Sequence, residues 1–178
     1  FSGEKKATVN SFVGVRGKKV SAEVLLPAKV VNDILKTTPA KLEEYWRTST
    51  LGVIQSGAIG AQGHIANGLA AIFVATGQDV ACVSEASVGL TRIERTSSGD
   101  IYGTVTLPNL IVGTVGGGTH LPTQRECLEM VDCLGSGKAR KFAEIIAAVV
   151  LGGELSISAA LSAGHYAKAH KDLARKKA

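Results

Sequence analysis

Glu4, Lys5 and Lys6 form a charged run near the start of the chain, led by Gly3 and followed by residues that favour a strand. Adjacent residues of an extended chain point to opposite sides, so Lys5 and Lys6 have different jobs. A solvated charge cluster is the other reading of such a run. Asp79 stands just past Thr76 and Gly77, where an apolar helical pattern stops. A carboxylate there opposes the helix dipole, so it either attracts a cation or holds its proton more tightly. A plain surface aspartate satisfies the same pattern. His64 and Asn67 lie three apart on that helix and share a face, available to a ligand or to capping and core satisfaction.

The segment GTVGGGTH brings Gly113, Thr114, Val115, Gly116, Gly117, Gly118 and Thr119 into one loop that ends at His120. Such a loop can turn several backbone N–H groups onto phosphates. It matches neither GxGxxG nor the Walker pattern, so a flexible loop without a ligand carries equal weight. The end of the chain is cationic, with His165, Lys168, His170, Lys171, Arg175, Lys176 and Lys177. Positive charge suits a helix C-terminus, and a histidine there is biased toward the protonated state that a general acid needs. Five residues separate His165 from His170, about 500° of helical rotation, which leaves them on different faces. No zinc-like spacing occurs, and no metal site is expected.

These residues must be positioned by a framework. Residues 138–171 give the longest helical pattern, and from Ile145 to Gly164 the only charge is Glu154. This predicts a central helix buried nearly all round. About 20 apolar residues also suffice to span a bilayer, but a Gly152-Gly153-Glu154 break and two serines in mid-span are poor lipid-facing chemistry, so no membrane segment is assigned. Glycines inside a helix cost about 1 kcal/mol each, which points to a close approach by another helix or a flat ligand. Strands are predicted over residues 8–13 and 19–26, and a hairpin over 90–95 and 101–107 around Ser97-Ser98-Gly99-Asp100. Helices are predicted over 27–36, from Thr38 as N-cap, from about His64 to Gly77, and over 121–134. The fold class is α+β (mixed α/β), a long central buried helix surrounded by helices and a mixed sheet.

The composition is 45% hydrophobic with a net charge of +5, enough for one substantial core and compatible with an anionic ligand. Aromatic residues make up 4%, which argues against binding single-stranded nucleic acid by stacking. Cys82, Cys127 and Cys133 form no CxxC pair and point to a reducing, cytoplasmic setting. Phe1 is not a methionine, so the chain is expected to be processed, truncated or part of a longer protein. On the residues alone, a non-enzymatic phosphate-ligand module and a basic nucleic-acid or membrane-surface protein compete with an enzyme.

Taken in order, EKK, GHIAN, ATGQD, GTVGGGT and GGELSISAALSAGHYAKAH resemble the 3-hydroxy-3-methylglutaryl-coenzyme A (HMG-CoA) reductase family, class I branch. The resemblance implies reduction of HMG-CoA to mevalonate and CoA with NADPH, or NADH, as cofactor. It implies Lys5 as the catalytic lysine, Asp79 as its coupled aspartate, and His170 as the acid that protonates the departing thiolate. Glu4, Lys6, His64 and Asn67 match substrate-binding residues, Ile157, Ala160 and Leu161 an apolar wall, and residues 113–119 the cofactor loop. The family often has aspartate at Glu4. Where animal members have a substrate-binding lysine this chain has Thr48, with Arg47 next to it as a substitute, and where eukaryotic members have a regulatory serine it has Lys176, so phosphorylation control is not expected there. The catalytic glutamate, the dimerisation motif and the small cofactor domain lie upstream of the matched segment. The chain is therefore read as the C-terminal portion of the large domain, in a homodimer or larger homo-oligomer with a shared active site and no nucleic-acid partner.

If His170 expels the thiolate, His170→Gln in the complete enzyme slows reduction of HMG-CoA far more than reduction of mevaldehyde, which has no thiolate to lose. Equal losses in steady-state assays of the two substrates would remove that assignment.

Overall fold

The computed structural model describes residues 3–61 and 63–166. Its sheet has three antiparallel strands in the order β1-β3-β2: β1 (Lys18–Leu26), β2 (Leu90–Arg95) and β3 (Ile101–Leu110). On β1, Val20, Ala22, Val24 and Leu26 turn toward the core, and Lys19, Ser21, Glu23 and Leu25 turn outward. This is the period of two that the sequence shows. The predicted hairpin joins β2 to β3, with Gly99 at φ 88° in its turn. The register of β1 on β3 shifts between Lys18 and Val20, opposite Pro108 and Asn109. A proline lacks the ladder N–H, so an irregularity is where β3 can accommodate one. The expected mixed sheet is antiparallel in its strands, with one isolated parallel bridge between Ala61 and Leu90.

The expected strand over residues 8–13 is instead a 3₁₀ turn, Val9–Val13, closed by Gly14 at φ 73°. Both edges of β3 are taken by β1 and β2. The segment instead satisfies its backbone locally, the Ser11 N–H donating to the Thr8 carbonyl at 3.0 Å and the Gly14 N–H to the Ser11 carbonyl at 3.3 Å.

Helices α1 (Ala28–Asp33) and α2 (Pro39–Gln55) follow β1, and Thr38 caps α2 by accepting from the Lys41 N–H at 3.3 Å. Helix α3 (Ile65–Thr76) ends at Gly77, whose φ of 69° closes the last turn onto Phe73. After the short α4 (Val83–Ala86) and the hairpin come α5 (Pro122–Met130) and α6 (Ala139–Ser162). Helix α6 lies across the sheet and beside α2 and α3. Gly103 of β3 leaves room for Leu155, which a Cβ would meet at 3.1 Å.

Two expectations for α6 are corrected. Helix α6 stops at Ser162, and Gly164 at φ 72° turns the chain before residues 165–166, so the helical run is not continuous. It is also buried on one side only. Phe142, Ile146, Val150, Glu154, Leu155 and Ser158 face inward, whereas Ala148, Val149, Gly152 and Ser156 are exposed, because the sheet, α2 and α3 cover a single face. By length and composition α6 could cross a membrane, but its inward face is occupied by this core.

The two α6 glycines separate cleanly. A Cβ on Gly153 would lie 2.0 Å from the His64 ring, whereas one on Gly152 meets nothing within 4 Å. The close approach expected from the sequence is thus the His64 side chain, at Gly153 only. Gly153→Ala is expected to destabilise by about 1–3 kcal/mol through overpacking. Gly152→Ala gains up to about 1 kcal/mol of helix propensity. Urea unfolding of both variants checks this, and equal effects would contradict it.

Candidate active site

Lys5 sits in a turn that begins at Gly3, with its backbone at φ 59°. A side chain disfavours this left-handed region, so contacts must hold it there. They all come from residues 79–85. The Lys5 N–H donates to Glu85 Oε1 at 2.8 Å, its carbonyl accepts from Ser84 Oγ at 2.6 Å, and its Nζ lies 2.8 Å from Asp79 Oδ2. Asp79 is held in turn by its other oxygen, which accepts from the Ala81 N–H at 3.0 Å and caps the 3₁₀ turn Val80–Cys82. Its carboxylate therefore opposes the α3 dipole but serves the start of the next turn, which the sequence reading missed.

Behind Lys5, Glu85 is 2% exposed. Arg16 Nε reaches its two carboxylate oxygens at 3.2 and 3.3 Å, Arg16 Nη2 also bonds Oε1, and Asn109 Nδ2 lies 3.4 Å from Oε2. Burial pushes the Glu85 carboxyl up, but the Arg16 and Lys5 hydrogen bonds outweigh it and hold it below its ordinary value. Arg16 Nη1 continues to Glu4 Oε1 at 3.2 Å. Asn109 Oδ1 accepts from the N–H groups of Arg16 and Gly17 at 3.2 and 2.7 Å. Sequence reasoning singled out none of Arg16, Glu85 and Asn109. Lys6 Nζ donates to the Glu4 carbonyl at 3.2 Å, whereas Lys5 Nζ meets Asp79.

The run Gly77-Gln78-Asp79 also carries the glycine loop. A Cβ on Gly77 would lie 2.4 Å from Gly118, so the two backbones touch. The Gln78 amide pairs with Gly113 like a short ladder, with Nε2 donating to the carbonyl at 2.9 Å and Oε1 accepting from the N–H at 2.8 Å. Thr119 fastens the loop from within, donating to the Gly116 carbonyl at 2.7 Å, and Thr114 ties it to the segment before α6, donating to the Gly135 carbonyl at 2.7 Å. Gly116 and Gly117 have φ of 75° and 56° with open space around them, and Val115 is exposed. A cavity of about 420 Å³ lies between loop and helix, lined by Phe73, Val74, Leu121, Gly117, Gly118 and Asp79 among others.

A second group gathers at the opposite end of α3. The Glu154 carboxylate, 2% exposed, accepts from the N–H groups of Gly63 and Ile65 at 3.0 Å, from that of His64, and from Thr91 Oγ1 at 3.0 Å. These amides are the unpaired donors of a helix N-terminus, and an anion is favoured there. The half-buried His64 ring fits between Gly68 and Gly153, and Asn67 is exposed nearby. Ile157 packs within 3.4 Å of where a Gly63 Cβ would stand, and Ala160 and Leu161 continue that half-buried face. Arg47 lies outside this group, 66% exposed and 3.7 Å from Glu43. Tyr45, Trp46 and Ser49 face the small cavity beside Glu154 instead.

His165 is exposed beyond the Gly164 turn, not on the packed helix as expected. His170 lies outside the described residues. Among those residues no cluster of three or more metal-ligating side chains occurs.

The Lys5 hydrogen bond holds the Asp79 carboxyl below its ordinary value of 3.8, and the Asp79 hydrogen bond raises Lys5 above 10.5. A depressed carboxyl contributes stability that is lost as pH falls, and a raised amine contributes stability that is lost as pH rises. The pair is therefore intact across the neutral range. Both side chains are about half exposed, so their effect is on geometry more than on folding. In an NMR titration Asp79 should titrate below 3.8 and move up in Lys5→Met; an unmoved midpoint would contradict the pairing.

Residues 1–175 match the family model for Hydroxymethylglutaryl-coenzyme A reductase. The 3-hydroxy-3-methylglutaryl-coenzyme A reductase of Methanocaldococcus jannaschii is 49% identical over 173 residues, covering 97% of this chain and 42% of that protein. That of Pyrococcus horikoshii is 47% identical over 179 residues, covering 97% and 43%. The Dictyostelium discoideum reductase 2 is 40% identical over 176 residues, covering 94% and 33%. The chain thus spans less than half the length of these relatives, and it belongs to the HMG-CoA reductase family.

Proposed function

We propose that the complete protein reduces HMG-CoA to mevalonate and CoA, and that this chain, as the C-terminal portion of the large domain, supplies the Lys5–Asp79 pair for that reaction. The observation that carries the reading is the placement of this pair beside the glycine loop and its cavity.

A nicotinamide cofactor, NADPH in this reading, supplies a hydride for each of the two reductions. Residues 113–119 suit its phosphates, since Gly116 and Gly117 leave the backbone uncovered, and Phe73, Val74 and Leu121 offer an apolar wall to a flat ring. As hydride reaches the thioester carbon, negative charge grows on its oxygen. The Lys5 ammonium stabilises that charge, and Asp79 keeps Lys5 protonated and aimed. Collapse of the resulting oxyanion breaks the carbon–sulfur bond, and His170 gives the thiolate its proton. The aldehyde then takes the second hydride, and its oxygen takes a proton from the Lys5 ammonium beside it, which solvent restores, to give the alcohol.

His64, Asn67, Ile157 and Leu161 receive the acyl end, at the far end of α3 from Asp79. Twelve helical residues separate these groups by roughly 18 Å, too far for both to touch one short acyl group. That distance supports a homo-oligomer in which the Lys5 end of one subunit meets the His64 end of another. The three free cysteines suit a cytoplasmic setting.

In the full-length protein, Asp79→Asn removes the charge partner and nearly preserves shape. It is expected to lower kcat for HMG-CoA reduction by about 100-fold or more. A near-normal kcat would reject Asp79 as a catalytic residue.

A further inference from the structure

We infer that Glu85, acting with Arg16, is the positioning residue that aims Lys5 at Asp79, a role that rests on the reductase reading only for its effect on turnover. Glu85 is too deeply buried to touch a substrate, yet it makes the bond to the Lys5 N–H that fixes a left-handed turn. That turn decides where the side chain leaves the backbone. With the N–H free, Lys5 can relax toward ordinary backbone angles, and its Nζ leaves the Asp79 oxygen 2.8 Å away.

The groups facing the Glu85 carboxylate account for its charge. Arg16 arrives from the loop before β1, Asn109 from β3, and the Lys5 amide from the N-terminal turn, with the Cys82 thiol beside Arg16 at 3.4 Å. Arg16 also holds Glu4. One carboxylate–guanidinium pair therefore anchors both Glu4 and Lys5, and the two neighbours move together if it is broken. Glutamine at position 85 cannot reproduce it, because its amide nitrogen would be a donor facing donors.

The test is a double-mutant cycle in the complete protein: unaltered, Glu85→Gln, Asp79→Asn, and both. The readouts are the NMR titration of the Lys5 amine and steady-state kinetics. The Lys5 midpoint is expected to fall in Glu85→Gln, and the double variant should match Asp79→Asn alone, because a misaimed lysine has no partner left to lose. The kcat of Glu85→Gln should fall by about 10-fold or more. Its KM for HMG-CoA should stay within about threefold. An unmoved Lys5 midpoint, or shifts that add in full, would overturn the positioning role, since an unbalanced Arg16 acting through charge alone gives additive shifts. Absence of HMG-CoA turnover in the unaltered protein would sink the reductase reading, while the titrations still decide the role of Glu85. If Glu85→Gln does not fold, Glu85→Asp keeps the charge, withdraws the carboxylate, and is read by the same criteria.

Discussion

A carboxylate taken out of water must be met by donors, and two such carboxylates organise this structure. Glu85 and Glu154 are each 2% exposed. Leaving a buried charge unpaired costs several kcal/mol, so each fixes the backbone that satisfies it. Glu85 holds the turn carrying Lys5, and Glu154 holds the start of α3 carrying His64. Neither is placed where it can react. Lys5 and Asp79, about half exposed, and the half-buried His64 stand one layer out, fixed by what lies behind them.

Helix α3 relates the two ends. Its N-terminus is gripped by α6 through Glu154, and its C-terminus passes at Gly77 into the residues that hold the glycine loop and Lys5. Three consecutive residues have three different partners: Gly77 touches Gly118, Gln78 pairs with Gly113, and Asp79 pairs with Lys5. A rigid element of fixed length thereby sets the spacing between the Lys5 cluster and the His64 cluster. A flexible loop would not fix that spacing so well.

The elements with a clear period were legible in the sequence, as were the caps at Thr38 and Gly77 and the hairpin turn. The place of Asp79 after a helix left a cation partner and a tightly held proton both open, and the cost of helix glycines pointed to a close approach without telling Gly153 from Gly152 or naming the His64 ring. What stayed hidden depends on distant pairing. Arg16 and Glu85 are 69 positions apart, Arg16 and Asn109 are 93, and nothing local in an arginine before a strand or an asparagine after a proline marks the partner. The alternation of residues 8–13 read as a strand because pattern cannot tell whether a segment pairs with a neighbouring strand or closes its hydrogen bonds on itself. The apolar run of α6 read as fully buried because composition does not say how many faces the neighbours cover.

We propose that the Lys5–Asp79 pair acts on the thioester carbonyl. A crystal structure of the complete protein with HMG-CoA bound tests it directly. The carbonyl oxygen is predicted to lie within about 3.2 Å of Lys5 Nζ, with Asp79 still in contact. A bound thioester whose oxygen faces another donor, with Lys5 turned away, would rule out that role for the pair.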